Sequence, residues 1–124
     1  MEEIEFLENE TGSNPVGCVI WMHGLGADAT DFEPIVPLLP LEVDLRFVFP
    51  NAPVRPITVN GGMEMRGWYD IDSGSPLASN EDIRSSVEAI TGLVEHEVAN
   101  GFRYGQITVA GFSQGGVIAL ELGL

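Results

Sequence analysis

Lysine is absent from these 124 residues, and five arginines stand against nineteen carboxylates for a net charge of −14. Such a surface repels nucleic-acid phosphate and anionic lipid, so neither is an expected partner. Its plain reading is a solvated acidic exterior, since net charge speaks to solubility and association more than to fold. Cysteine is nearly absent as well. Cys18 stands alone, which excludes an intrachain disulfide, and within Val16-Gly17-Cys18-Val19-Ile20-Trp21 it reads as a small buried hydrophobe. One cysteine and two distant histidines give no metal-ligand spacing, so no metal is expected. No apolar run reaches the roughly 18 residues that span a bilayer. The acidic start, Met1-Glu2-Glu3-Ile4-Glu5, has no basic segment followed by an apolar one and is not expected to act as a signal peptide. The expectation is a soluble cytoplasmic protein.

What is present describes one globular domain: a hydrophobic content of 44% argues against global disorder. Ile4 to Leu7 reads as an edge strand and Glu8 to Pro15 as turn material. Val16 to Met22 is apolar almost throughout, as in a strand buried on both faces of a parallel sheet. Thr30-Asp31-Phe32-Glu33 fits a capping box, predicting a short helix towards Leu39, limited by Pro37 and Pro40. Leu45 to Phe49 is the next strand, stopped by Pro50. Asn51 to Ser79 reads as a long irregular stretch whose apolar and aromatic residues favour a functional loop. Asn80 then N-caps an amphipathic helix with Ile83, Val87, Ile90, Val94 and Val98 on one stripe, ended by Asn100-Gly101. A strand over Ile107 to Ala110 and an apolar, buried helix after Ser113 complete the order. Strands alternating with helices predict an α/β fold with a mostly parallel sheet.

Gly111-Phe112-Ser113-Gln114-Gly115 joins that last strand to that last helix. This is the layout of a nucleophile elbow, where a strained turn lifts a serine hydroxyl clear of the sheet and the glycines clear space for the tight turn. The other readings of the pattern are a plain turn or a phosphate cradle at a helix N-terminus, and the latter is disfavoured because a Walker loop needs a lysine. His23-Gly24-Leu25-Gly26 follows the early buried strand. An acyl-transfer oxyanion needs two N–H donors, one from the residue after the nucleophile and one from a glycine-rich loop after an early strand. Those donors are the backbones of Gln114 and Leu25. The activating base is harder to find, because His23 and His96 both precede Ser113, and Gln114 to Leu124 contains neither histidine nor aspartate. α/β-Hydrolases run Ser, Asp or Glu, then His. His96 is expected to face solvent at a helix end, and His23 to shape the oxyanion loop, with proton acceptance in an unconventional order as its alternative. Asp70 and Asp72 meet the same objection of chain order.

Together, His23-Gly24-Leu25-Gly26, the stretch Phe49 to Gly62, Trp68-Tyr69-Asp70, and Gly111-Phe112-Ser113-Gln114-Gly115-Gly116 resemble the acyl-protein thioesterase and bacterial carboxylesterase/lysophospholipase family of α/β-hydrolases. The resemblance implies hydrolysis of a small ester or acyl thioester without cofactor. It matches Ser113 to the nucleophile and Leu25 and Gln114 to the oxyanion-hole donors. It also makes Met63, Met65 and Trp68 part of the acyl-site wall, the other reading being that they close the core. Members run to a little over 200 residues, so residues 1–124 are expected to be the N-terminal segment of one hydrolase domain, with the triad aspartate and histidine outside this chain. The remainder would then be missing or a separate chain, and the uncovered sheet edge leaves room for a homodimer. The rival expectation is a non-catalytic truncated domain acting as a binding or assembly module.

Overall fold

In the computed structural model, which describes residues 4–72 and 80–123, four strands form one sheet in the order β1-β3-β2-β6. β2 (Cys18–Met22) runs parallel to β3 (Arg46–Pro50) and to β6 (Ile107–Gly111). β1 (Phe6–Glu10) closes the far edge antiparallel to β3. Alternation along β2 places Cys18, Ile20 and Met22 on one face, where α1 (Asn80–Ala99) and α2 (Gln114–Gly123) supply Ile90, Leu93 and Ile118 to the core. Val19 and Trp21 point to the other face, into a cluster with Val36, Phe47 and Phe49. Both faces of the central strand are thus covered, as its unbroken apolar run predicts.

Four local expectations are revised. β1 extends to Glu10, because Glu8 and Glu10 at the sheet edge can both reach Arg46, so acidic residues read as turn belong to a strand. The capping box does not form. Thr30 donates its N–H and hydroxyl to Asp28, and the residues beyond, carrying Pro34 and Pro37, make a 3-10 helix over Glu33–Leu38. Part of the stretch read as irregular is an antiparallel hairpin of β4 (Val54–Ile57) and β5 (Met63–Arg66), while 73–79 lie outside the described residues. Finally, α2 is not buried all round: Gln114, Gly115 and Ile118 are buried, but Leu120 is 70% exposed. The cause is that β6 has a neighbour on one side only among the described residues, so nothing there covers the outer flank of α2.

The α1 stop is realised as a Schellman turn. Gly101, at φ 116°, lets its N–H reach Val98 O and the Phe102 N–H reach Glu97 O.

Candidate active site

β2 and β6 end in register, Met22 opposite Gly111, so the segments leaving them emerge side by side. From β6 comes the elbow. Ser113 has φ 55°, the one positive φ outside glycine among the described residues, and its side chain is exposed. A non-glycine residue held in that region is strained, and this one sits where the chain must reverse from strand to helix. The flanking glycines permit the turn: a Cβ on Gly115 would lie 2.6 Å from the carbonyl oxygens of Met22 and His23, and one on Gly111 would lie 2.2 Å from Gly115 O. α2 therefore packs directly on the backbone of β2. Phe112 braces the other side, edge-on to Phe32, which stacks on Trp21 at 5.0 Å.

From β2 comes the His23–Gly26 loop. Gly24 lies against the elbow so closely that a Cβ there would be 3.2 Å from the Phe112 ring and 3.6 Å from Ser113 Cβ. The backbone N–H groups of Leu25 and Gln114 make no hydrogen bond among the described residues.

His23 is 2% exposed and both ring nitrogens are engaged. Nε2 accepts the Ala52 N–H at 3.0 Å, and Nδ1 lies 2.7 Å from Gly24 O. An imidazole that accepts at Nε2 and donates at Nδ1 is neutral, and burial pushes its pKa down, which agrees with the bonding. His23 thus holds the loop and has no nitrogen left for Ser113. His96 is exposed next to Glu97, whose carboxylate meets Arg46 at the start of β3, the end of the sheet away from Ser113. Asp70 is committed to the hairpin: its carboxylate accepts the Thr58 N–H and hydroxyl, and those bonds hold its pKa below the usual carboxylate value.

The three residues assigned to the acyl wall are placed differently from one another. Met65 lies against Gly26, its sulfur 3.6 Å from where a Cβ of Gly26 would stand. Met63 is 65% exposed on the hairpin. Trp68 is fully buried, donates its indole N–H to His23 O at 2.9 Å, and supports the site from beneath. Sequence reasoning missed the Gln114 side chain, which bonds Trp68 and Tyr69, because a glutamine at a helix start carries no pattern of its own. It missed Glu97 too, although Glu97 continues the stripe of Ile90 and Val94.

The sequence pattern that defines the phospholipase/carboxylesterase family matches residues 6–124. This chain belongs to that family. Among family relatives it is similar to acyl-protein thioesterase 1 of Mycosarcoma maydis, 33% identical over 128 residues, covering 92% of this chain and 53% of that protein. A rice protein named "Probable inactive carboxylesterase" is 34% identical over 110 residues, covering 82% of this chain and 44% of that protein. Of solved structures, acyl-protein thioesterase 2 of Zea mays superposes with a TM-score of 0.80 at 27% identity, over 95% of this chain and 50% of that one. The family's α/β-hydrolase fold is therefore shared, and the chain spans about half the length of the curated relatives it matches.

Proposed function

We propose that this chain carries the nucleophile half of a serine hydrolase site that cleaves carboxylic esters or acyl thioesters. Ser113 Oγ attacks the acyl carbon, the backbone N–H groups of Leu25 and Gln114 stabilise the oxyanion, the alcohol or thiol leaves, and water releases the acid. The observation that carries the reading is the strained Ser113 at φ 55° with the Gly24-Leu25 loop packed on it. A serine needs a base, and neither histidine of this chain is placed to serve. On this reading the base and its carboxylate partner are supplied from outside these 124 residues. Met65, whose sulfur lies against Gly26 of the loop, would meet the acyl group, and Met63, two residues before it on the same strand, would extend that wall.

The test is labelling by a fluorophosphonate probe on the protein isolated at its native length. Labelling that disappears in Ser113→Ala supports the hydrolase. A protein that carries the later residues and still fails to label would be a non-catalytic binding or assembly module, the reading favoured by the relative whose name declares it inactive.

A further inference from the structure

We infer that the side chain of Gln114, in addition to its backbone N–H, serves the reaction as a positioning group, clamping the Leu25 loop in register with the elbow. The inference rests on the reading of Ser113 as nucleophile. Gln114 opens α2 and is 3% exposed. Its Oε1 accepts the Trp68 N–H at 2.6 Å, and its Nε2 donates to Tyr69 O at 2.8 Å. Consecutive backbone groups of opposite polarity are thus held by one carboxamide, and an ionised carboxylate, which only accepts, could satisfy just one of them.

The clamped segment is in turn bonded to the loop. Trp68 Nε1 donates to His23 O at 2.9 Å, and the Gly26 N–H donates to Arg66 O at 2.8 Å. Gly67 lies between the two sides: a Cβ there would stand 3.1 Å from Leu25 Cδ1 and 3.5 Å from Gln114 Oε1. The Ser86 hydroxyl anchors the same segment to α1 by donating to Trp68 O at 2.5 Å. Residues 66–69 therefore form a rigid connector, with the loop bonded on one side and the elbow on the other. The two proposed oxyanion donors, on Leu25 and Gln114, keep their separation through it. Donors of this kind work only when preorganised, so loosening the connector should reduce transition-state stabilisation while leaving ester binding and Ser113 in place.

The experiment uses the protein at its native length, 4-nitrophenyl acetate as substrate, and Gln114→Met and Gln114→Glu as variants. Gln114→Met should lower kcat by about 100-fold, the cost of a misplacement on the order of 1 Å, with little change in KM. Gln114→Glu should recover relative to wild type as pH falls, since a protonated carboxyl regains a donor for Tyr69 O, whereas the Gln114→Met ratio stays flat. Amide hydrogen exchange gives a readout independent of turnover: exchange should quicken at Gly24–Gly26 in Gln114→Met with β2 and β3 still protected. Trp68→Phe, which deletes the indole N–H together with the five-membered ring that carries it and so leaves a small buried cavity, should quicken the same loop with β2 and β3 still protected, and serves if Gln114→Met does not fold. Unchanged loop exchange in both variants, or undiminished kcat in an active protein, overturns the inference. A wild type that neither turns over nor labels at Ser113 refutes the hydrolase reading instead, and loop exchange then decides the clamp.

Discussion

Glu97 is the one carboxylate taken fully out of solvent among the described residues, and Arg46 is what makes that tolerable. Arg46 donates from Nε to Glu97 Oε1 at 2.6 Å and reaches outward to Glu8 at 2.8 Å and Glu10 at 3.3 Å. Removing one partner of a buried pair leaves an uncompensated charge, whereas removing both can be nearly neutral. Arg46→Met should therefore cost about 3–5 kcal/mol in urea unfolding, and Arg46→Met with Glu97→Leu should regain most of it. A double variant no more stable than the single one would refute this account. Cys18 donates its thiol to Glu97 Oε1 at 3.6 Å, and burial together with that carboxylate pushes its pKa up to about 12. Its thiolate is then negligible at pH 8, so a disulfide reagent such as DTNB should modify it only after unfolding. His23 titrates in the opposite direction. Its depressed pKa means the unfolded chain binds the proton more readily, so its stabilising contribution is full above the ordinary imidazole value near 6.5 and is lost as pH falls through the folded value. Nitrogen NMR at pH 6.5 should find the His23 ring neutral with the proton on Nδ1, and a half-protonated ring would contradict the assignment. That the segments carrying Leu25, Ser113 and Gln114 meet was legible in the sequence because glycine spacing records where backbones must approach. That His23 shapes its own loop was read there too, but the Ala52 N–H that fixes its ring and the bonding of the Gln114 side chain were not, since these depend on partners 29 and 46 residues away in the chain.

Among the elements, α2 and α1 place opposite demands on their glycines. Gly115 lets α2 touch the backbone of β2, so Gly115→Ala should overpack that contact, costing about 1–3 kcal/mol and displacing the elbow. Gly92 lies exposed in the middle of α1 with nothing within 4 Å of a Cβ, so Gly92→Ala should raise stability by about 1 kcal/mol through backbone entropy alone. Urea titrations of the two variants should move in opposite directions, and a shared sign would show that close packing at Gly115 is not what separates them. The same contrast explains which elements could be read beforehand. β2, β3, β6 and α1 announce themselves by apolar runs or by helical period, because burial dictates their composition. The β4–β5 hairpin does not: its strands carry Arg55, Pro56, Glu64 and Arg66 and lie off the main sheet, so no core face imposes alternation on them. The 3-10 segment Glu33–Leu38 follows from competition at Thr30, whose hydroxyl bonds Asp28 in place of the Glu33 turn.

For the molecule as a whole, the dominant long-range term is self-repulsion. Four ion pairs among the described residues engage Glu8, Glu10, Glu97 and Asp82, while the net charge stays at −14. Most of the remaining carboxylates among the described residues face solvent, and a compact chain brings them closer together than an unfolded one does. Salt shortens the reach of that repulsion, from a Debye length of about 10 Å at 0.1 M to about 3 Å at 1 M. The Arg46–Glu97 pair is out of water and is screened far less, so salt should remove more repulsion than attraction. The melting midpoint should accordingly rise between 0.1 and 1 M sodium chloride, and a gain of about 1 kcal/mol would read as roughly 4 °C. Replacing the exposed Glu64, Glu88 and Glu121 by glutamine should raise the midpoint at low salt and shrink its further gain with salt. A midpoint that stays flat or falls with salt, in the wild type and the triple variant alike, would mean that local pairing outweighs the acidic surface in this fold.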